Sequence, residues 1–482
     1  MSSFAAAQSR CDEVLRHLAG RLADAVCVES PDLTTTNPAT TPANDSLPGL
    51  PPFAFTPQTD RNVIAPSAAK RPPITKVVPG LQIQARFADD PTGQGRFLLR
   101  LPDDWNGSLV VAGAAGTRSE FNGDFAWSDF VLQKGYAYAS QNKGMLNLRF
   151  SNAADPLACR LNPASPLYVH FYDNDPGQPF TRWREFMVAA AEVARQGVKA
   201  RYGHRPRHTY AVGTSNGGYQ VRRAIETAPE LFDGGVDWEG TYVDPRGPNL
   251  LVHLPPAVLN FPDYVASGLS ATSTAAKNIR AAGYPPDLKA GTASLWNSYY
   301  TSYWEVTHCQ WQKRLDPGFD TYNNDGTATY NYFERLSKSD VGEQVAAIAT
   351  TGRIKRPLIT VAGTLDALLP IDLHARAYAR LVNERSDDGP RRDRDLDDRR
   401  PGPDRGAPYR LYEVQNGTHL DTQQDTFPEI ELTMPHAQRA FELLVRHVEQ
   451  RTPLPPDQCV GRGGVIADAP AVAGHCPSLL AP

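Results

Sequence analysis

The run Gly213-Thr214-Ser215-Asn216-Gly217-Gly218 stands between an apolar stretch, Thr209-Tyr210-Ala211-Val212, and a segment in which Val221, Ala224, Ile225 and Ala228 recur at helical spacing. A serine on so sharp a strand-to-helix turn has its hydroxyl pushed out above the sheet, and glycines flank it because the turn leaves no room for side chains. A serine hydroxyl is a poor nucleophile unless a base takes its proton, and the base needs a partner that fixes its tautomer. Two later segments can supply both. Pro357-Leu358-Ile359-Thr360-Val361-Ala362-Gly363 reads as a buried strand that runs into Thr364-Leu365-Asp366. Tyr409-Arg410-Leu411-Tyr412-Glu413-Val414 alternates like a last strand and ends in a turn, Gln415-Asn416-Gly417-Thr418, that presents His419. The spacing therefore predicts Ser215 as nucleophile, His419 as base and then acid, and Asp366 as the group that orients it.

Each residue also has a plainer use. Asp366 could cap the next helix, and Asp372 and Asp421 are rival acids, although neither sits directly at a strand end. The other ten histidines lie elsewhere. His436 and His447 fall on a terminal helical pattern, His204 and His208 precede a strand, and His308 sits in an aromatic segment. The chain order serine, acid, histidine is that of the α/β-hydrolase fold, a doubly wound, mostly parallel sheet.

The elements that must position these groups can be followed along the chain. Residues 9 to 28 read as a short amphipathic helix between two cysteines, and residues 1–75 as a whole as that helix plus a Pro-rich arm. Leu81–Phe87 and Arg96–Pro102 alternate as antiparallel first strands, and Ser108–Ala112 is a buried strand ending in Gly113-Ala114-Ala115-Gly116-Thr117. In this fold one oxyanion-hole amide follows the nucleophile, here Asn216, and the other comes from the loop after the third strand, here Gly113 or Ala114. Helix 129–134, strand 136–140, a loop-like 145–180, a long helix 181–202 and a strand 232–238 complete the first part of the core, 76–244. The core resumes at 346–482 and closes with a helix from about 435 to 449. Residues 245–345 break the alternation and carry many aromatics, as a lid inserted between the sixth and seventh strands would. Tyr219, Trp238, Tyr303 and Trp304 are the candidates for facing substrate. Asp316, Asp320, Asn323, Asn324 and Asp325 form a dense oxygen cluster, but their spacing fails the EF-hand pattern and a polar turn is expected. Residues 386–406 mix both charges with Pro and Gly, the pattern of a solvated loop.

With 482 residues and a net charge of -4 the chain is long enough for one large domain with an insertion, and it has no basic stripe for nucleic acid. No run approaches the roughly 20 apolar residues of a membrane span. The six cysteines form no C-x-x-C pair, so neither a metal nor a cofactor is expected. Cys459 and Cys476 bracket a Gly-rich tail; Cys11 with Cys27 would staple the first helix, and Cys159 with Cys309 would tie the insertion to the core. The alternative is six thiols in a cytosolic enzyme. Residues 1–8 show no basic segment and no apolar leader. Cysteine and proline content favour an extracellular or periplasmic protein in processed form.

Several stretches together resemble a family. Ser215-Asn216-Gly217-Gly218, the following helix, and Phe232-Asp233-Gly234-Gly235-Val236 with Glu239 resemble the secreted 3-hydroxybutyrate-oligomer hydrolases. Gly135-Tyr136-Ala137-Tyr138-Ala139 with Asn142-Lys143-Gly144 is similar to their strand ending in an acid-Lys-Gly turn, with Asn142 in place of the acid. Trp105-Asn106-Gly107, Tyr202-Gly203 and Phe232-Asp233-Gly234 also resemble the tannase and feruloyl esterase family. The resemblance spans about residues 95 to 245 plus the acid and histidine motifs. It implies hydrolysis of small or oligomeric carboxylic esters, of hydroxyalkanoate or aromatic type. Tannase-type enzymes bridge a cysteine before the serine to one after the histidine; here those positions are Thr214 and Leu420. An amidase or peptidase using the same three groups, and a catalytically silent binding protein on the same fold, are the rival readings.

Overall fold

The structure, a computed structural model, describes residues 2–42, 57–116, 119–145, 149–170, 180–319, 329–387 and 408–482. Ten strands form the main sheet: β1 Leu22–Ser30, β2 Gly80–Phe87, β3 Arg96–Pro102, β4 Ser108–Gly113, β5 Ala137–Gln141, β6 His208–Thr214, β7 Gly234–Trp238, β8 Leu358–Gly363, β9 Tyr409–Val414 and β10 Gln458–Val460. Their spatial order is β1-β2-β3-β5-β4-β6-β7-β8-β9-β10. β1, β2, β3 and β5 pair antiparallel, and every pairing from β5 through β4 to β10 is parallel. Every residue of β4, β7 and β8 is buried, as a parallel sheet covered on both faces requires. This is the α/β-hydrolase order, with β1 added at one edge and β10 at the other.

One face is covered by α1 (Ser2–Leu18), α2 (Thr181–Tyr202), α3 (Asn216–Thr227) and, beyond the insertion, the helix Ala375–Asp387. Val14, Leu18, Met187, Ala190, Val221, Ile225, Tyr378 and Val382 pack there against β2, β3 and β4. The other face packs Val131, Leu132, Phe441 and Leu444 against Tyr210, Val236 and Trp238; the last two of those helical residues belong to the helix Met434–Gln450. Helix α2 ends where Gly203 turns left-handed at φ 83°.

Three segments differ from the sequence reading. The expected helix 9–28 is a helix followed by an edge strand. Gly20, at φ 87°, ends the helix, and the alternation of Ala23, Val26 and Val28 pairs with β2. The Cys11–Cys27 bridge therefore ties helix to strand. Residues 145–180 are not simply loop: short strands Arg149–Ser151, Cys159–Arg160 and Tyr168–His170 form a small antiparallel sheet. β9 is not the last strand, because β10 pairs beyond it and is bonded through Cys459 to Cys476. The cluster expected as a polar turn falls mostly on residues 320–328, outside the described residues, as do most of 386–406. Asp316 itself pairs with Arg335 and accepts from Tyr330.

Residues 245–345 add no strand to the main sheet among the described residues. They form α4 (Leu250–Ala266), the helices Thr274–Ala281 and Leu295–Tyr299, α5 (Glu305–Leu315) and Val341–Ile348. Their aromatics pack on one another: Phe261 stacks on Tyr300 at 4.4 Å, with Trp304 and Tyr264 edge-on or tilted around it. Cys309 of α5 is bonded to Cys159 of the small sheet. Residues 475–481 run beneath the loops that follow β8 and β9. Glu413 accepts from Cys476 N and His475, and Asn416 exchanges two hydrogen bonds with Ala481.

Candidate active site

β6, β7, β8 and β9 lie side by side and parallel, so their C-terminal ends deliver groups to one rim. At the end of β6 the chain turns at Ser215, whose φ of 58° and ψ of -121° lie outside the regions favoured by non-glycine residues. Such a conformation costs of order 1–3 kcal/mol and persists only where its surroundings impose it. Ser215 N donates to Trp238 O at 2.9 Å, and a Cβ on Gly217 would stand 2.6 Å from Gly113 O. A second close approach fixes the other two groups: Leu365 N donates to Gly417 O at 2.7 Å, and Gly363 has no room for a Cβ beside Gly417.

The three groups meet. His419 Nε2 lies 2.9 Å from Ser215 Oγ, and His419 Nδ1 lies 2.7 Å from Asp366 Oδ2. With Asp366 ionised, the imidazole proton sits on Nδ1 and donates to the carboxylate, which leaves Nε2 to accept the serine proton. Asp366 is pinned in turn, its Oδ1 accepting from Leu368 N at 2.8 Å and Leu369 N at 2.7 Å. The rival acids have other work. Asp421 caps the helix Met434–Gln450 through Thr433 and Met434 N, and burial raises its carboxyl to about 6. Asp372 pairs with Arg376 at the surface.

The oxyanion loop differs from expectation at Ala114. Its amide donates to Gln220 Oε1 at 3.0 Å, and the Ala115 amide donates to Asn122 Oδ1 at 3.2 Å. Gly113 ends β4 inside the sheet. Gly116 is the loop residue that reaches the cleft together with Ala115, opposite Asn216 at the N-terminus of α3. A helix N-terminus carries partial positive charge and suits a developing oxyanion. The loop is held by the N-terminal arm: Asp60 Oδ2 accepts from Ser119 N at 2.8 Å and Oγ at 2.7 Å, and Asp60 O accepts from Asn122 at 3.0 Å.

A narrow cleft opens over Ser215 and His419. Its walls are largely aliphatic: Val63 and Ile64 from the arm, Leu250 from α4, Leu368 and Leu369 after Asp366, and Leu420 after His419. Of the four aromatic candidates Tyr303 lines it. Trp238 lies in the sheet core and donates to Thr433, Trp304 donates to Ala367 O from within the insertion, and Tyr219 donates to Ile348 O. Ring size and proximity in sequence did not decide which aromatics reach the cleft; the insertion's core took Trp304 and Tyr219, and the sheet core took Trp238. The arm residues carried no sequence signal beyond being apolar in a polar stretch.

Three further buried groups surround the site. Glu239, one residue past β7, has φ 53° and is 3% exposed. Its Oε1 accepts from Gly363 N at 3.1 Å and its Oε2 lies 3.8 Å from His419 Nδ1. Burial first, and Asp366 next, hold its carboxyl well above the usual range. His253 and His374 stand ring-edge to ring, Nε2 to Nε2 at 3.5 Å. Tyr242 N donates to His374 Nδ1, so the His374 proton is on Nε2; burial lowers His253 to about 4 and His374 further, and both are neutral. Glu239, Asp366 and His419 place ligand-type atoms within 4.8 Å of one another. His419 and Asp366 are already bonded to each other and, through Nε2, to the serine.

Residues 309–481 match the family described as 3HB-oligomer hydrolase. That match contains Asp366 and His419 but not Ser215, and it does not include the stretch 95–245 that carried the resemblance. A D-(-)-3-hydroxybutyrate oligomer hydrolase of Burkholderia thailandensis is 29% identical over 140 residues, which are 28% of this chain and 18% of that protein. The matched part is thus less than a fifth of the length of the curated relatives. An esterase from Aspergillus oryzae superposes over 92% of this chain and 90% of its own, at TM-score 0.50 and 14% identity. Feruloyl esterase B from the same organism covers 92% and 91%, at TM-score 0.48 and 14% identity. The chain has the α/β-hydrolase fold and resembles the 3HB-oligomer hydrolases in sequence.

Proposed function

We propose that this protein is a serine hydrolase of carboxylic esters. The observation that carries the reading is the unbroken chain Ser215 Oγ–His419–Asp366, with contacts of 2.9 and 2.7 Å. In this scheme His419 takes the serine proton as Oγ attacks the ester carbonyl. The Asn216 amide, with that of Gly116 as its partner, stabilises the oxyanion, and His419 Nε2 then protonates the leaving alcohol. Water attacks the acyl-enzyme by the same route in reverse. No step calls for a cofactor.

The cleft supports an aliphatic acyl group. Six aliphatic side chains wall it, Thr241, Thr307 and Tyr303 add hydroxyls, and among the described lining residues there is no Lys or Arg. A short hydroxyalkanoate ester, apolar with regularly spaced oxygens, fits that lining better than a polyphenol, and the sequence similarity favours the same class. The three disulfides support an oxidising, extracellular setting. Among the described residues no helix is long and apolar enough to cross a membrane.

A fluorophosphonate probe with peptide mapping tests the reading. Label is expected on Ser215 and absent in Ser215→Ala, and a p-nitrophenyl ester panel should be cleaved well ahead of the matching anilides. His419→Ala should cost on the order of 10⁴–10⁶ in turnover. Wild-type protein that takes no label, or a His419→Ala variant with near-normal turnover, sinks the proposal.

A further inference from the structure

The proposed triad leaves one buried group next to it without a task. Glu239 follows β7, the strand between that of Ser215 and that of Asp366, so three neighbouring parallel strands deliver a serine and two acids to one rim. Its left-handed backbone is strained for a residue with a side chain, and nothing about a strand end requires it. That conformation aims a carboxyl under the imidazole. One oxygen is engaged by Gly363 N; the other has no hydrogen-bond partner among the described residues and stands 3.8 Å from His419 Nδ1. A buried oxygen is normally bonded, and an exception asks for an explanation.

We propose that Glu239 is a second positioning acid for His419, standing behind Asp366 and able to take its place at Nδ1. This rests on the triad reading above.

Electrostatics explain why the two acids do not compete in the intact protein. The groups facing Glu239 are Asp366 after β8, His419 and Asp421 after β9, Asp237 on its own strand and Tyr299 from the insertion. Three of these are acids, and burial is the largest influence on Glu239. Two neighbouring carboxyls in such a place carry one negative charge between them. Glu239, buried and facing Asp366, is the one held high, and it stays protonated. Removing Asp366 removes the repulsion. Glu239 can then ionise, although burial still holds it high, and a small rotation brings Oε2 to Nδ1. The rescued enzyme should therefore work only at higher pH than the wild type.

The test is a double-mutant cycle in the full-length protein, read by kcat against pH on a p-nitrophenyl ester. Loss of the orienting acid in a serine triad typically costs about 10⁴. Asp366→Ala is expected to lose less, about 10²–10³, and to show an activity limb displaced to higher pH than the wild type. Glu239→Gln in the wild-type background should cost under about tenfold, and in the Asp366→Ala background at least tenfold more than that, abolishing the displaced limb. Equal costs in both backgrounds, or an unmoved pH profile, overturn the proposal and leave Glu239 as a brace for Gly363. Asp366→Ser, whose short side chain also vacates the place at Nδ1 while its hydroxyl can accept from Leu368 N, replaces the alanine variant if that one unfolds. Ser215→Ala runs alongside: hydrolysis surviving there would refute the triad itself, a different outcome from a flat cycle.

Discussion

Replacing Asp60 tests whether the arm organises the reaction site from a distance. Asp60 is 1% exposed. Its carboxylate takes two hydrogen bonds from Ser119, and its carbonyl takes one from Asn122, whose own oxygen holds the Ala115 amide. Gly116 follows immediately. In Asp60→Ala the Ser119 amide and hydroxyl, both buried, lose their acceptor. Leaving a buried donor unsatisfied costs about 1–3 kcal/mol, so two give roughly 2–6 kcal/mol against the present loop position. The loop can escape much of that by moving toward water at the cleft mouth, which displaces Gly116. If Gly116 supplies an oxyanion donor, its loss costs about 10²–10³ in kcat with KM little changed. Asp60→Asn keeps one acceptor oxygen and should recover part of the rate. Steady-state kinetics on p-nitrophenyl butyrate, with a thermal melt to confirm folding, give the answer. A folded Asp60→Ala enzyme with kcat within threefold of wild type would refute the chain of reasoning from arm to oxyanion.

Two other outcomes follow from single side chains. Glu305 is buried with no hydrogen-bond partner among the described residues, and burial raises its carboxyl to about 9. Because its folded value lies above its unfolded one, the stability it contributes is complete below about pH 4.5 and is lost as pH rises toward 9, at about 1.4 kcal/mol per unit. Glu305→Gln should therefore raise the melting temperature at pH 8 and leave it lower or unchanged at pH 4; a gain that is the same at both pH values contradicts the assignment. Ile64→Ala enlarges the arm side of the cleft and should raise KM for hexanoate esters several-fold while acetate esters change little, as competition between the two substrates would show.

The three residues of the proposed triad could be picked out of the chain because each sits at a strand end with its own turn chemistry. The β6–Ser215–α3 turn needs Gly213 and Gly217, and the loops after β8 and β9 need Gly363 and Gly417. These leave marks in the sequence. The parallel strands β4, β6, β7 and β8 were legible as short apolar runs, and α2 by its helical period. What was not legible depended on contacts between distant segments. Ala114 has the right size and place for the oxyanion hole, but Gln220, 106 residues away, takes its amide. Trp238 and Trp304 look like pocket walls in sequence, yet Thr433 and Ala367 claim their indole nitrogens. Strand β1 was hidden because its alternation is interrupted by a bulge between Ala23 and Val26. Glu239 stood out in the chain only through a family likeness, since no spacing rule places an acid there.

The segment beneath the acid and histidine loops has a bearing on when the protein becomes reactive. Asn416, three residues before His419, is clasped by Ala481 across a separation of 65 residues, and the same segment is bonded back to β10 through Cys459 and Cys476. During synthesis the serine turn, and even the imidazole, emerge well before the strand of chain that braces them. The turn that precedes His419 thus completes its hydrogen bonding only once the chain beyond residue 475 has been laid against it.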